Sequence, residues 1–343
     1  MSAEGSGSRI PDPGSRSVVV QELVKRFGST TALDGVTFGV EKGELFGFIG
    51  PDGAGKTTLF RILVTLLVPG SGRASVLGLD VVREYRALRQ RVGYMAGRFA
   101  LYPDLSVEEN LRFFASVFGT TIEREYAQIA PIYTQLEPFK DRRAAALSGG
   151  MKQKLALCCA LVHRPDILFL DEPTTGVDAV SRREFWDLLG NLKQSGLTII
   201  VSTPYMDEAD RCDRVALIHR GRLLAVDAPS AITGAFDRPL LGVRAKERYK
   251  ALLAMRRYEH AHSVYPFGEV IHYTDKRTDA PVNQLDQELR VFLAASGFAD
   301  ASVEPLTPTV EDTFIARTAS EDADSRIPDP GSPIPDHRSR STP

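Results

Sequence analysis

The run Gly50-Pro-Asp-Gly-Ala-Gly-Lys-Thr-Thr58 has the residue types and spacing to bind a phosphate chain. It reads G-x-x-x-x-G-K-T and lies between an apolar run, Leu45–Ile49, and an amphipathic one, Leu59–Val68. Strand, glycine-rich turn and helix thus follow in the order such a loop requires. Gly50, Gly53 and Gly55 let backbone amides converge on an anion without side-chain obstruction, and the helix that follows points its positive end at the same spot. Pro51, Asp52 and Ala54 fill the variable positions. Lys56 is expected to reach the β- and γ-phosphates and the Thr57 hydroxyl to ligate Mg²⁺, with Thr58 closing the set at the helix start.

Two further groups carry chemistry. Ile167-Leu-Phe-Leu-Asp-Glu172 is four apolar residues ending in two acids. A continuous apolar run suits a central parallel strand buried on both faces, and open α/β sheets bind ligands at the carboxyl ends of such strands. Asp171 is then expected to hold Mg²⁺ through water and Glu172 to orient and deprotonate an attacking water; a solvated pair of acids is the bland alternative. Leu147-Ser-Gly-Gly150 opens a helix that runs to Val162, and Ser148, Gly149 and Gly150 offer either a simple cap or a second anion site. Phe27, in the turn after the first strand, is a core or turn aromatic or a platform for an adenine ring.

The elements that must position these residues follow from periodicity. Val18–Leu23, Val36–Val40 and Glu44–Ile49 read as strands, Ala74–Leu77 and Val92–Met95 as short strands around a polar helix, Val82–Arg91. Ser106-Val-Glu-Glu109 is a capping box that opens a helix to Phe118, and Glu123–Leu136 continues helical with a kink or break at Pro131. This block, residues 97–150, interrupts the strand–helix alternation as a helical subdomain. Thr198–Val201 is another buried strand, and Val215–Ile218 with Leu223–Val226 form a hairpin around Gly221. From residue 237 the order strand, helix, strand, strand, helix, strand (Leu240 to Pro305) resembles the split βαβ, ferredoxin-like pattern, and Thr309–Ala316 adds a helix. Domains are therefore expected at 17–236 and 237–317, between tails at 1–16 and 318–343 that are disordered by composition. The octet S-R-I-P-D-P-G-S occurs in both tails, at Ser8–Ser15 and Ser325–Ser332, and is assigned no function.

Composition narrows the function. The 343 residues carry a formal net charge of −2 and no dominant basic stripe, which argues against nucleic acid as the main partner. Three cysteines, Cys158, Cys159 and Cys212, lack metal or redox spacing and point to a reducing compartment. No apolar run approaches the ~20 residues a membrane helix needs, and no secretory leader opens the chain. A cytoplasmic location is expected.

The phosphate loop, the Leu147–Gly150 element and the Asp171-Glu172 strand, in that order, resemble the ATP-binding subunit of an ABC transporter. The run Asp171-Glu-Pro-Thr-Thr-Gly-Val-Asp178 strengthens the likeness, which covers residues 18–235. The C-terminal stretch Pro308-Thr-Val-Glu-Asp-Thr-Phe314 is similar to that of ABC-2 type exporter ATPases, which are associated with efflux of drugs, antibiotics or lipids. The resemblance implies a P-loop NTPase fold of ABC type: an α/β domain with a mixed sheet and a helical signature subdomain, followed by a small α+β domain. It implies ATP and Mg²⁺ as cofactors and closure of two such domains head to tail. Ser148, Gly149 and Gly150 would face the ATP of the other subunit, Asp178 would contact that subunit, and Phe27 would stack on adenine. The implied partners are an integral-membrane ABC-2 type permease, which holds the chain on the inner face of the membrane, and a second nucleotide-binding domain, identical or not.

Two positions depart from the family's pattern. Where a glutamine usually contacts Mg²⁺ and the attacking water, this chain has Gly97; where a histidine usually reads the γ-phosphate, it has Pro204. Glycine has no side chain, and proline offers neither a side-chain donor nor an amide. ATP binding with slow hydrolysis is the expected consequence. The alternatives are a catalytically degenerate member of an asymmetric pair, a nucleotide-gated regulatory module without useful turnover, and a non-transport ABC ATPase acting in DNA repair or on the ribosome.

Overall fold

A computed structural model describes residues 16–97 and 101–324. Both copies of the repeated octet and the greater part of both expected tails lie outside the described residues. The chain divides into two compact units, one up to Gly234 and one from Ala235.

The first unit opens with β1 (Arg16–Phe27), β2 (Thr30–Glu41) and β3 (Leu45–Ile49), then α1 (Lys56–Leu63). Next come β4 (Ser71–Val76), β5 (Leu79–Asp80), the short α2 (Tyr85–Arg89) and β6 (Val92–Met95). α3 (Val107–Val117), α4 (Ile122–Tyr133) and α5 (Gly149–Leu161) form the helical block. β7 (Ile167–Asp171), α6 (Ala179–Gln194), β8 (Thr198–Thr203), β9 (Arg214–His219), β10 (Arg222–Asp227) and α7 (Pro229–Gly234) complete the unit. The main sheet has the order β10-β9-β3-β8-β7-β6, parallel except for the β10 edge, and β2-β1-β4-β5 make a separate antiparallel sheet.

Every residue of β3, β7 and β8 is buried, as continuous apolar strands covered on both faces must be. The core continues between the two sheets through α1, whose Leu59, Phe60, Ile62 and Leu63 are fully buried. Phe60 meets Phe48 of β3 and Phe169 of β7 edge-on, with ring centroids 5.9 and 5.7 Å apart. Burying one such ring contributes about 1.5–3 kcal/mol, and these contacts fix the angle at which α1 leaves the loop before it.

The helical block shows its sequence signals at work. Ser106 accepts from the Glu109 amide while the Glu109 carboxylate accepts from the Ser106 amide, which completes the capping box of α3. Thr121 caps α4. Pro131 lies inside α4 without ending it at once; it lacks the amide an interior residue would donate to the carbonyl four residues back, and the helix stops two residues later at Tyr133. The polar helix expected over Val82–Arg91 is shorter, since Asp80 turns the chain by accepting from the Val82 and Arg83 amides.

The second unit pairs β11 (Leu240–Arg244), β12 (Ala261–Phe267), β13 (Val270–Asp275) and β14 (Ser302–Leu306) in the order β12-β13-β11-β14, all antiparallel. That order is the one a split βαβ chain produces. α8 (Arg248–Met255) and α9 (Val282–Ala295) supply Leu252, Met255, Leu285, Leu289 and Leu293 to its core. α10 (Val310–Asp324) runs beyond the expected end at Ala316, and the Thr318 hydroxyl bonds back to the Phe314 and Ile315 carbonyls. The Pro308–Phe314 stretch has a structural task here. Fully buried Asp312 accepts from the Thr309 amide and hydroxyl at 2.7 and 2.6 Å, and from the Tyr265 hydroxyl at 2.6 Å, and bonds His272 Nδ1 at 2.6 Å. Helix start and sheet are thereby joined through one carboxylate.

Candidate nucleotide site

The parallel strands β3, β7 and β8 end side by side, and the candidate site is assembled at those carboxyl ends. Gly50 follows β3 and donates its amide to the Thr203 carbonyl at 3.3 Å. A Cβ at Gly50 would come within 2.1 Å of the Ile218 carbonyl oxygen, and one at Gly55, where φ is +107°, within 2.4 Å of the Ala32 carbonyl oxygen. Both glycines are therefore demanded by close backbone approach. The tip of the β9–β10 hairpin braces the same loop from the side. The Gly221 amide donates to the Ala54 carbonyl at 2.9 Å, and the Gly221 carbonyl accepts from the Asp34 amide at 2.9 Å. The sequence marked Gly221 only as a turn; its bracing of the loop depends on a contact between distant segments that no local pattern announces.

The charged side chains converge behind the loop. Lys56 is 3% exposed; its ammonium donates to the Gly50 and Pro51 carbonyls at 2.7 and 3.0 Å and lies 3.1 Å from Glu172 Oε1. Thr57 donates its hydroxyl to Asp171 Oδ1 at 3.2 Å. The same oxygen accepts from the Ser202 hydroxyl at 2.7 Å. Glu172 adopts φ +50°, a left-handed conformation that a residue with a Cβ rarely takes, and its amide bonds both the backbone oxygen and the hydroxyl of Ser202 at 3.0 Å. The residues present fit Mg²⁺. Thr57 and Asp171 provide one hydroxyl and one carboxylate side by side, both hydrogen bonds to Asp171 fall on Oδ1, and Mg²⁺ characteristically completes its shell with phosphate oxygens and water. Among the described residues no cluster of three or more His, Cys, Asp or Glu that could hold a metal ion is present.

The remaining expected residues lie apart from this group. Ser148 caps α5 by accepting from the Met151 amide at 3.3 Å. A Cβ at Gly150 would meet the Ser181 hydroxyl at 2.6 Å, so α5 and the start of α6 are packed at glycine distance. Asp178 caps α6, and the Ser181 amide is the chief cause that holds its carboxyl below the ordinary range. Among the described residues neither Ser148–Gly150 nor Asp178 bonds to the phosphate loop. Phe27 is the last residue of β1, paired with Thr30, rather than a turn residue, because the β1–β2 ladder runs to the very end of the hairpin. Its ring is 50% exposed with the Lys25 ammonium 5.3 Å from its centroid.

The two departures have distinct surroundings. A Cβ at Gly97 would stand 2.8 Å from the Asp171 carbonyl oxygen. The chain thus passes over the Asp171–Glu172 backbone at a distance that glycine alone permits. Pro204 follows Thr203, whose hydroxyl donates to buried Glu208 at 2.5 Å and accepts from the Tyr205 amide at 3.0 Å. Glu208 also takes the Thr174 hydroxyl at 3.2 Å, which links this turn to the segment between Glu172 and Asp178. Nothing local in the sequence distinguishes Glu208 from its acidic neighbours Asp207 and Asp210.

Known proteins similar to this chain are numerous. The family described as ABC transporter matches residues 33–175. A probable multidrug ABC transporter ATP-binding protein of Escherichia coli, YbhF, is 48% identical over 222 residues, covering 63% of this chain and 38% of that protein. The chain thus spans well under half the length of that relative. The Nod factor export ATP-binding protein I of Burkholderia lata is 43% identical over 215 residues, covering 62% of this chain and 71% of that protein. Among solved structures, one of the ATP-binding subunit of an ABC transporter superposes with a TM-score of 0.58 at 29% identity, over 64% of this chain and 92% of the other. The phosphate loop beneath Lys56, with Asp171 and Glu172 behind it, is accordingly that of an ATP-binding protein of the ABC transporter family, to which this chain belongs.

Proposed function

We propose that the chain is the ATP-hydrolysing motor subunit of an ABC-2 type exporter, acting from the cytoplasmic side of the membrane through an integral permease. The observation that carries this reading is the meeting of Lys56, Thr57, Asp171 and Glu172 at the carboxyl ends of β3 and β7. The exporting relatives' names support transport outward, and the Pro308–Phe314 stretch supports the ABC-2 assignment. No helix of the described residues is long and apolar enough to cross a membrane, which is consistent with a separate permease.

In this reading the amides of the Gly50–Thr58 loop and the Lys56 ammonium take up the negative charge of the triphosphate. Mg²⁺ held by Thr57 and Asp171 would neutralise charge on the β- and γ-phosphates. Glu172, within reach of Lys56, orients the attacking water and accepts its proton. Ser148, Gly149 and Gly150, which among the described residues make no bond to their own chain's loop, would face the nucleotide of a second domain, with Asp178 and Phe27 in their family roles. ATP then bridges two chains and favours the closed dimer, while hydrolysis releases it. Gly97 and Pro204 contribute no side-chain contact to the γ-phosphate, and one lost preorganised contact typically costs about 10²–10³ in rate. That observation favours a second reading, in which this chain is the slow partner of an asymmetric pair; the exporter relatives favour the first.

The experiment is ATP-dependent dimerisation of the full chain carrying Glu172→Gln, followed by size-exclusion chromatography with light scattering. A shift from monomer to dimer with ATP and Mg²⁺ supports the motor reading. A chain that binds ATP yet stays monomeric, alone and with its permease, overturns it.

A further inference from the structure

We infer that Ser202 is a positioning residue of the metal–nucleotide site, locking the metal-binding carboxylate of Asp171 and the catalytic Glu172 to one another through a single hydroxyl. Ser202 is fully buried on β8, directly across the ladder from Asp171. A hydroxyl has one proton to give and lone pairs to receive. Here the Glu172 amide occupies the acceptor side at 3.0 Å, so the proton goes to Asp171 Oδ1 at 2.7 Å. This bond and the one from Thr57 both fall on Oδ1 and fix the plane of the carboxylate. The bond from the Glu172 amide restrains a residue held at φ +50°, at the turn where the strand must release Glu172 towards Lys56. The arrangement also assigns β8 a task in a chain that has proline where the strand's exit would otherwise present a histidine. The strand acts one residue before Thr203, through Ser202's bonds to Asp171 and to the Glu172 amide. This inference rests on reading Thr57 and Asp171 as Mg²⁺ ligands.

The test compares full-length wild type, Ser202→Ala and Ser202→Thr in binding a fluorescent trinitrophenyl-ATP, first with chelator and then with Mg²⁺. Threonine keeps the hydroxyl and suits a strand. Ser202→Ala is expected to match wild type in chelator and to lose about 10-fold of the affinity gained on adding Mg²⁺, the scale of one charge-assisted hydrogen bond. Ser202→Thr is expected to restore that gain. If the alanine variant does not fold, Ser202→Cys replaces it and must show the same loss, because a thiol is a weak donor and acceptor. An undiminished Mg²⁺ gain in Ser202→Ala overturns the inference, as does an equal loss with and without Mg²⁺ that threonine does not repair. A wild type whose affinity ignores Mg²⁺ places the failure in the metal reading itself, and the role of Ser202 falls with it.

Discussion

Two sides of one site are built very differently. On the side of β3 and β7 the groups proposed to meet phosphate and metal are held by the protein itself: Lys56 by two loop carbonyls and Glu172, Asp171 by Thr57 and Ser202. On the side where β6 and β8 end, the equivalent positions are Gly97 and Pro204, which project nothing towards the nucleotide. On the proposed reading, the contrast makes binding and turnover separable within a single fold. The loop needs its glycines and its lysine merely to exist as a phosphate cradle, whereas the groups that sense the γ-phosphate lie on strand exits that fold without them.

The sharpest way to break this comparison is to attack the complete side. Glu172→Gln is expected to lower phosphate release by about 10²–10⁴-fold while leaving ATP affinity within a few-fold, measured by a coupled phosphate assay beside nucleotide titration. Gly50→Ala places a methyl 2.1 Å from the Ile218 carbonyl and is expected to cost roughly 1–3 kcal/mol of stability or more, together with nucleotide binding. Thermal melting with and without ATP checks both.

The second unit provides a control that contributes no residue to this candidate site. Burial alone would raise the Asp312 carboxyl, but hydrogen bonds from His272, Thr309 and Tyr265 outweigh it and hold the group at about 2, against 3.8 for an ordinary aspartate. A depressed carboxyl stabilises the fold fully above pH ~4 and loses that contribution as pH falls towards 2, on the order of 2 kcal/mol here. Asp312→Asn should therefore lower the unfolding midpoint at pH 7, flatten the acid limb of the stability curve and leave ATP affinity unchanged.

The smallest effect sharpens the comparison most. Pro204→His is expected to raise turnover by about 10-fold, only part of the roughly 10²–10³ that one preorganised contact is worth, because the gap at Gly97 stays open. Gly97→Gln should give no such gain, since its Cβ would stand 2.8 Å from the Asp171 carbonyl and must push the chain off the strand it crosses. Equal rescue by both substitutions would mean that the two positions are interchangeable gaps.

The parts of this site legible in the sequence were those written in local patterns. The glycine spacing, the apolar run ending at Asp171 and the capping box at Ser106 each express a constraint satisfied within a few residues. Ser202, Gly221 and Glu208 escaped because their roles arise across strands: Ser202 reaches Asp171 from the neighbouring strand, and Gly221 reaches Ala54 from a hairpin more than a hundred residues away in the chain. Phe27 was placed one element too late for the reverse reason, as pairing with Thr30 extends β1 beyond where alternation of apolar residues stops. In the second unit, strand order followed from element order, whereas the anchoring task of Asp312 required seeing Tyr265 and His272 brought beside it.

The most direct test of separable binding and turnover is steady-state phosphate release by the purified full-length chain at saturating ATP and Mg²⁺, with Pro204→His and Glu172→Gln assayed in parallel. The expected result is a wild type that binds ATP yet releases phosphate slowly, a clear rise in Pro204→His and none in Glu172→Gln. Brisk release by the wild type alone, abolished by Glu172→Gln and unmoved by Pro204→His, would contradict it.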